Sequence, residues 1–96
     1  MNLQTLQTLY APKIIQLAEK HKLGNVRVFG STVRGDAGDD SDVDLLVHAE
    51  KGCSLLDISA FEVEVGKLLG SKVDVLDDMA IKPIFVPYIL SEALPL

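Results

Sequence analysis

The chain has 96 residues, of which 48% are hydrophobic and 24% are charged, and its formal net charge is −5. This composition predicts one globular domain over residues 1–96 with a modest core. The acidic balance disfavours binding to a nucleic-acid backbone, which needs a basic surface. We expect no membrane span and no signal peptide, because apolar runs are short and a basic leader is lacking. Cys53 is the only cysteine, so an internal disulfide is impossible and a reducing cytoplasm is the expected location.

Two helices are predicted from apolar residues at helical spacing. The first covers about the first twenty residues, and Pro12 should kink or restart it. The second should open with a capping box at Ser54 and Asp57 and should end at Gly70. The tail from Met79 onward is also predicted to be helical. Its apolar residues leave two interpretations open, since they could complete the core or dock a partner.

Three strands are predicted between and after these helices. They cover Val26–Phe29, Asp42–His48 and Lys72–Leu76. The second strand is apolar on both faces after Asp44, which indicates a central position in the sheet. The resulting order predicts an α/β fold with a small mixed β-sheet flanked by helices.

One constellation of residues points to chemistry on phosphates. A Gly30-Ser31 turn follows the first strand, and Asp42 and Asp44 alternate at the start of the second. Residues i and i+2 of a strand share a face, so both carboxylates should project together. Asp74 lies between valines in the third strand, where a lone carboxylate is costly without a cation. Three carboxylates suit Mg²⁺, and backbone N–H groups of a turn suit a phosphate.

The acidic run also has a plainer interpretation as a solvated loop. We favour that interpretation for Asp36, Asp39 and Asp40. For Asp42 and Asp44, the alternation with the following apolar strand favours a site. Arg34 has two open interpretations, since it could contact a phosphate or pair with the acidic loop.

These residues together resemble the signature of the polymerase-β nucleotidyltransferase superfamily. Within it, the chain is similar to the minimal nucleotidyltransferases, whose pattern is Gly-Ser, ten residues and then Asp-x-Asp. The motifs that carry the resemblance are Gly30-Ser31, Arg34-Gly35, Ser41-Asp42, Asp44-Leu45 and Asp74.

The resemblance implies a nucleotidyltransferase fold and a role for each matching residue. Gly30 and Ser31 would hold the triphosphate of ATP. Asp42 and Asp44 would bind metal ions, with two Mg²⁺ ions expected. Asp74 would complete the metal set and help to deprotonate the acceptor hydroxyl.

The resemblance further implies a partner protein with a HEPN domain. In that family the nucleotidyltransferase acts as an antitoxin and transfers AMP from ATP to a tyrosine of the toxin. Two alternatives stay open: transfer to a small molecule, with an acceptor pocket supplied by a homodimer, and inhibition by binding alone with a vestigial metal site. A nuclease is disfavoured, because the Gly-Ser turn and acidic surface suit a nucleotide better than a polymer.

Overall fold

We analysed a computed structural model of the chain, which describes residues 1–36, 38 and 42–96. The predicted solvation of Asp39 and Asp40 and the Ser41 part of the motif lie outside the described residues. Asp36 is exposed, as the solvated-loop interpretation predicts.

The N-terminal helix is built from three consecutive segments. These are α1 (Leu3–Thr5), a π-helical stretch (Leu6–Tyr10) and α2 (Ala11–Lys20). Pro12 stands in the first turn of α2, where its missing N–H costs nothing within that turn. A proline ring clashes with the carbonyl four residues earlier, and the wider π-helical turns relieve such a clash. The predicted interruption at Pro12 is therefore confirmed as a change of helix type.

A four-stranded sheet forms the centre of the molecule, in the order β3-β2-β1-β4. Its strands are β1 (Leu23–Phe29), β2 (Val43–Ala49), β3 (Val73–Asp77) and β4 (Leu94–Pro95). Strand β1 is antiparallel to β2 and β4, whereas β2 and β3 are parallel. The mixed sheet and the central position of β2 are both confirmed.

The long crossover helix between the two parallel strands is α4 (Leu55–Leu69). The predicted capping box is present, with Asp57 N–H donating to Ser54 Oγ at 3.2 Å and Ser54 N–H donating to Asp57 Oδ2 at 2.9 Å. Gly70 ends the helix in the left-handed region at φ 65°. The local signals at both ends of this helix were therefore sufficient to predict its bounds.

The hydrophobic core lies between one face of the sheet and helices α2 and α4. Alternate residues of β2 point into it, as the strand period requires. The intervening residues of β2, Asp44, Leu46 and His48, therefore lie on the opposite face of the sheet. Leu46 is fully buried there, so this second face is also covered. The core residues are Leu6, Ile14, Ala18, Leu23, Val26, Val28, Val43, Leu45, Val47, Phe61, Val65, Leu69 and Val73.

Three features of the fold differ from the sequence prediction. Strand β1 starts at Leu23, before the predicted Val26, because α2 already ends at Lys20. A one-turn helix, α3 (Ser31–Arg34), follows the Gly-Ser turn. The tail is helical only from Pro83, and not from Met79 as predicted. It forms a 3₁₀ helix (Pro83–Phe85) and α5 (Val86–Glu92), and it then adds strand β4 at the sheet edge.

The tail crosses the sheet from one edge to the other, because β3 and β4 are its two outer strands. Helices α2 and α4 cover the core face, and α5 reaches the opposite face near Asp44 through Glu92, as shown below. Within the part of the chain that is described, no helix has the length and apolar character of a membrane span.

A partly buried ion pair fixes the segment after β3 to the sheet. Arg27 Nη2 donates to Asp78 Oδ2 at 2.6 Å, and His48 Nδ1 lies 2.8 Å from Asp78 Oδ1. Burial alone would raise the pKa of Asp78, but the hydrogen bonds from His48 and Arg27 outweigh it and hold that pKa below its ordinary value of 3.8. Asp78 thus stabilises the fold in its charged form.

We expect Asp78→Asn to lower the free energy of unfolding at pH 7 by about 1–3 kcal/mol, since it weakens two charge-assisted hydrogen bonds. A lowered pKa gives stability above the unfolded value, and this stability is lost as the pH falls through the folded value. The difference between wild type and variant should therefore narrow below about pH 4 in urea titrations. Glu19→Gln, at an exposed carboxylate of α2, is the control and should change little. This role for Asp78 would be contradicted if Asp78→Asn and Glu19→Gln lost the same free energy of unfolding. It would also be contradicted if the difference between wild type and Asp78→Asn did not depend on pH.

Candidate active site

The pairing of β2 with β3 places two of the predicted carboxylates side by side. Asp44 is the direct partner of Asp74 in the parallel register. Neighbouring strands lie about 4.8 Å apart, so these two residues are adjacent on the sheet. Asp44 is half-buried and Asp74 is exposed, which leaves the pair accessible from solvent. The sequence predicted this encounter only on the condition that the two strands are neighbours, and they are.

Asp42 lies just before β2, two residues from Asp44. The backbone N–H of Val43 between them donates to Lys72 O at 3.0 Å, which ties the start of β2 to the segment before β3. The Asp42 carboxylate is half-exposed and lies 3.7 Å from Lys72 Nζ. This is a weak surface pair in which Lys72 remains largely exposed, so Asp42 can exchange it for another cation.

The Gly-Ser turn lies directly against Asp44. Phe29, the last residue of β1, pairs with Asp44 across the antiparallel ladder, and Gly30 follows at once. Gly30 has φ 78° and ψ −152°, a region open essentially to glycine. A Cβ built on Gly30 would collide with Asp44 Oδ2 and lie 3.2 Å from Asp44 Cγ. Only glycine therefore allows the turn and the carboxylate to approach this closely.

Helix α3 begins at Ser31 immediately after this turn. Gly30 O accepts from the N–H groups of Val33 and Arg34, both at 3.1 Å. The earliest N–H groups of a helix have no acceptor within the helix. Those of Ser31 and Thr32 are the ones in α3, so the turn presents backbone donors beside the carboxylates.

The electrostatics of the site favour a bound cation. Burial is the largest cause that raises the pKa of Asp44 above its ordinary value of 3.8, and the negative charges of Asp74 and Asp42 raise it further. Arg34 acts in the opposite direction, and Glu92 adds to the rise. Converging carboxylates that disfavour each other's charge are stabilised when a cation lies between them.

Arg34 has two carboxylate partners in the structure. Its Nε lies 3.4 Å from Asp36 Oδ2 in the acidic loop, as one of the two predicted interpretations implies. Its Nη1 donates to Glu92 Oε1 at 2.8 Å, and Glu92 belongs to α5 at the far end of the chain. Sequence reasoning missed Glu92, since no local motif links positions 34 and 92. Arg34 remains half-exposed, so it can still turn one edge of its guanidinium to a phosphate.

The residues present fit Mg²⁺ only in combination with a nucleotide. Across residues 1–36, 38 and 42–96, no three His, Cys, Asp or Glu side chains form a set that could hold a metal ion on their own. Mg²⁺ commonly binds one or two carboxylates together with substrate phosphates and waters. The Asp44–Asp74 pair meets this requirement. The predicted set of three ligands, Asp42, Asp44 and Asp74, stays a prediction.

A cavity of about 330 Å³ lies beside α3, away from the carboxylates. The N-terminal residues from Met1 to Gln4 line one wall of it, and Thr32, Val33 and Gly35 line the other. None of the carboxylates discussed above contributes to this cavity. It therefore adjoins the turn without containing the charged groups needed for phosphate chemistry.

Comparison with known proteins agrees with this geometry. A family model described as "Nucleotidyltransferase domain" matches residues 13–94. The chain is 40% identical over 81 residues to "Putative protein adenylyltransferase MJ0435" of Methanocaldococcus jannaschii, covering 84% of this chain and 87% of that protein. It is 34% identical over 92 residues to "Protein adenylyltransferase MntA" of Thermococcus cleftensis, covering 96% of this chain and 93% of that one.

Solved structures share the fold over almost the whole chain. One described as a "putative minimal nucleotidyltransferase" has a TM-score of 0.88 and 40% identity, and the match covers 100% of this chain and 97% of that one. A toxin–antitoxin complex with AMP-PNP matches at TM-score 0.77 and 24% identity, covering 91% and 72%. A complex of a tri-AMPylated Shewanella oneidensis HEPN toxin with its MNT antitoxin matches at TM-score 0.71 and 22% identity, covering 93% and 70%. Because the identities to these two complexes are 24% and 22%, the two matches establish the shared fold alone.

Proposed function

Because the chain belongs to the nucleotidyltransferase domain family, we propose that it is a protein adenylyltransferase that acts as an antitoxin. It transfers AMP from Mg²⁺-ATP to a hydroxyl, most simply a tyrosine, of a partner toxin with a HEPN domain. The observation that carries the proposal is the contact between the Gly30 turn and Asp44, which is itself paired with Asp74. This contact joins a phosphate-binding turn to a metal-binding pair.

Different residues of the site bind the phosphates and the metal ion during transfer. Backbone N–H groups at Ser31 and Thr32 receive phosphate oxygens of ATP, and Arg34 neutralises part of the triphosphate charge. Asp44 and Asp74, together with Asp42, would hold Mg²⁺ alongside the triphosphate. When bound, Mg²⁺ supplies neutralisation of the charge that develops on the leaving pyrophosphate.

Asp74 serves the acceptor side of the reaction. It is the exposed member of the carboxylate pair, so an incoming hydroxyl can reach it from solvent. The acceptor oxygen forms a bond to the α-phosphorus while the bond from that phosphorus to the β-bridging oxygen breaks. Pyrophosphate leaves and the hydroxyl proton passes to Asp74.

The choice of a protein acceptor is supported by the relatives and by the shape of the molecule. Both curated relatives are named protein adenylyltransferases. The cavity beside α3 lacks the catalytic carboxylates, so it offers no enclosed acceptor pocket at the reacting centre. An exposed centre of this kind suits an acceptor presented on the surface of another protein.

The test is a transfer assay with purified components. The chain is incubated with Mg²⁺ and ATP labelled at either the α- or the γ-phosphate, and the HEPN-domain protein of the same organism is the acceptor. We expect label from the α-position alone, on a tyrosine of the acceptor, and its loss in Asp42→Asn/Asp44→Asn. The control Glu19→Gln/Glu62→Gln removes the same charge from α2 and α4 and should retain transfer.

Each other outcome points to a different function. Label from the γ-position would indicate a kinase and would refute nucleotidyl transfer. Labelled small molecules in the absence of the acceptor protein would indicate a small-molecule transferase. Inhibition of the toxin by the Asp42→Asn/Asp44→Asn variant, with no label from wild type, would indicate an antitoxin that acts by binding alone.

A further inference from the structure

The 3₁₀ helix (Pro83–Phe85) and the following α5 present apolar side chains to solvent. Ile84 is 70% exposed, Phe85 52% and Tyr88 71%, although all three are large hydrophobic residues. Residues three and four apart are neighbours on a helical surface, so these side chains form one patch. We call Ile84, Phe85 and Tyr88 the C-terminal patch.

The other side of the same helix is apolar too. Val86 and Ile89 are half-buried, unlike the residues of the C-terminal patch. A helical segment with apolar side chains on two opposite sides normally buries both of them. In the described part of the chain, no neighbouring element covers the outward side of α5, so the patch has the character of an interface.

The C-terminal patch adjoins the catalytic centre. Tyr88 lies one helical turn before Glu92, on the same side of α5. Glu92 accepts from Arg34 at 2.8 Å and is close enough to Asp44 to affect its ionisation. A protein seated on the patch would therefore reach the carboxylate pair with a neighbouring loop or side chain.

The charges near the patch define the partner that fits it. Lys82 is exposed just before the patch. On the catalytic side of the patch the charges are acidic: Glu92, Asp36 and the three catalytic aspartates lie there, and Arg34 is already paired with Glu92 and Asp36. An anionic membrane or a nucleic acid would be repelled by this surface. A protein surface with an apolar centre and a basic rim is complementary to it.

We infer that the C-terminal patch is the docking surface for the protein acceptor, which meets it with apolar side chains flanked by Lys or Arg. The inference rests on the proposed function, and it assigns the acceptor-binding surface to a segment outside the motif. Docking here places the acceptor hydroxyl within reach of Asp74. Docking would also bury the exposed apolar side of α5.

The test measures binding alone, without nucleotide, by calorimetry with the HEPN-domain protein of the same organism. The variant Ile84→Ser/Tyr88→Ser changes two side chains that contribute little to the core. Leu55→Ser/Leu56→Ser is the matched control, because these leucines of α4 are 82% and 81% exposed. We expect the patch variant to raise Kd at least tenfold, as for central interface residues, and the control to leave it unchanged.

Two further measurements support the interpretation of this result. Circular dichroism and binding of Mg²⁺–AMP-PNP should be the same in wild type and the patch variant, which separates docking from folding and from the nucleotide site. Added NaCl should slow association with wild type, as expected for a basic rim meeting an acidic one.

Other outcomes would overturn the inference. Equal Kd values for wild type and patch variant would exclude this surface, as would an equal loss in the control. A change in oligomeric state with unchanged acceptor binding would assign the patch to a second copy of the chain. No binding by wild type would exclude the acceptor together with its docking surface. Patch-dependent binding without AMP transfer would instead refute only the proposed transfer.

Discussion

The substitution Asp44→Asn is expected to reduce AMP transfer by at least about 100-fold while leaving the fold intact. Asp44 is the central carboxylate of the site, since it pairs with Asp74 in register and lies against Gly30. An amide is similar in shape but is a far weaker ligand for Mg²⁺. The measurement is the initial rate of α-labelled AMP transfer at saturating Mg²⁺.

Although Asp44→Asn should lose AMP transfer, its thermal stability should not fall. The pKa of Asp44 is raised by burial and by its acidic neighbours, so its charged form is disfavoured in the folded state. A raised carboxyl pKa means that stability falls as the pH rises through the folded value of the pKa, and the loss is complete above that value. Removing the charge should therefore leave Tm unchanged or higher without Mg²⁺.

Addition of Mg²⁺ and AMP-PNP separates the two effects. It should raise the Tm of wild type more than that of Asp44→Asn, because a ligand stabilises only the state that binds it. Glu19→Gln is the control and should behave as wild type in both measurements. Full transfer activity in Asp44→Asn would refute the metal-binding role, and a lowered Tm would assign the loss of activity to unfolding.

The second large effect is expected from Gly30→Ala. The added Cβ would collide with Asp44 Oδ2, and the backbone at φ 78° and ψ −152° is unfavourable for alanine. Either the turn or the carboxylate must move, so the phosphate-binding turn and the metal-binding pair lose their alignment. We expect transfer to fall at least about tenfold, since misplaced catalytic groups are costly. The free energy of unfolding should fall by about 1–3 kcal/mol.

Gly35→Ala is a matched control for this substitution. Gly35 has a similar φ of 81°, but a Cβ built there meets no atom within 4 Å. It should lose about 1–2 kcal/mol of stability from the left-handed conformation alone, with transfer largely retained. Equal transfer activity in the two variants would show that the contact between Gly30 and Asp44 is unimportant.

The local elements of this fold were predictable because their causes lie within a few residues. The capping box of Ser54 and Asp57 and the left-handed Gly70 fix the ends of α4 through hydrogen bonds and backbone freedom that the sequence displays. Pro12 marks the change of helix type for the same reason. The shared face of Asp42 and Asp44 stays a prediction, because β2 begins at Val43 and Asp42 lies just before it.

The assembled site depended on contacts between distant parts of the chain. The pairing of Asp44 with Asp74 follows from the order of strands in the sheet, which sequence patterns only suggest. The closeness of Gly30 to Asp44 depends on the register of β1 against β2. A shift of one residue would turn Asp44 to the other face of the sheet.

The C-terminal segment shows the same division most clearly. The composition of this segment predicts an apolar helix. It leaves open whether the helix completes the core or binds a partner. Only the tertiary structure shows that Val86 and Ile89 are half-buried while Ile84 and Tyr88 are exposed to solvent. It alone brings Glu92 to Arg34, 58 positions away along the chain. The physical reason is that burial and ion pairing depend on distances in space, which sequence spacing determines only within a single helix, turn or strand.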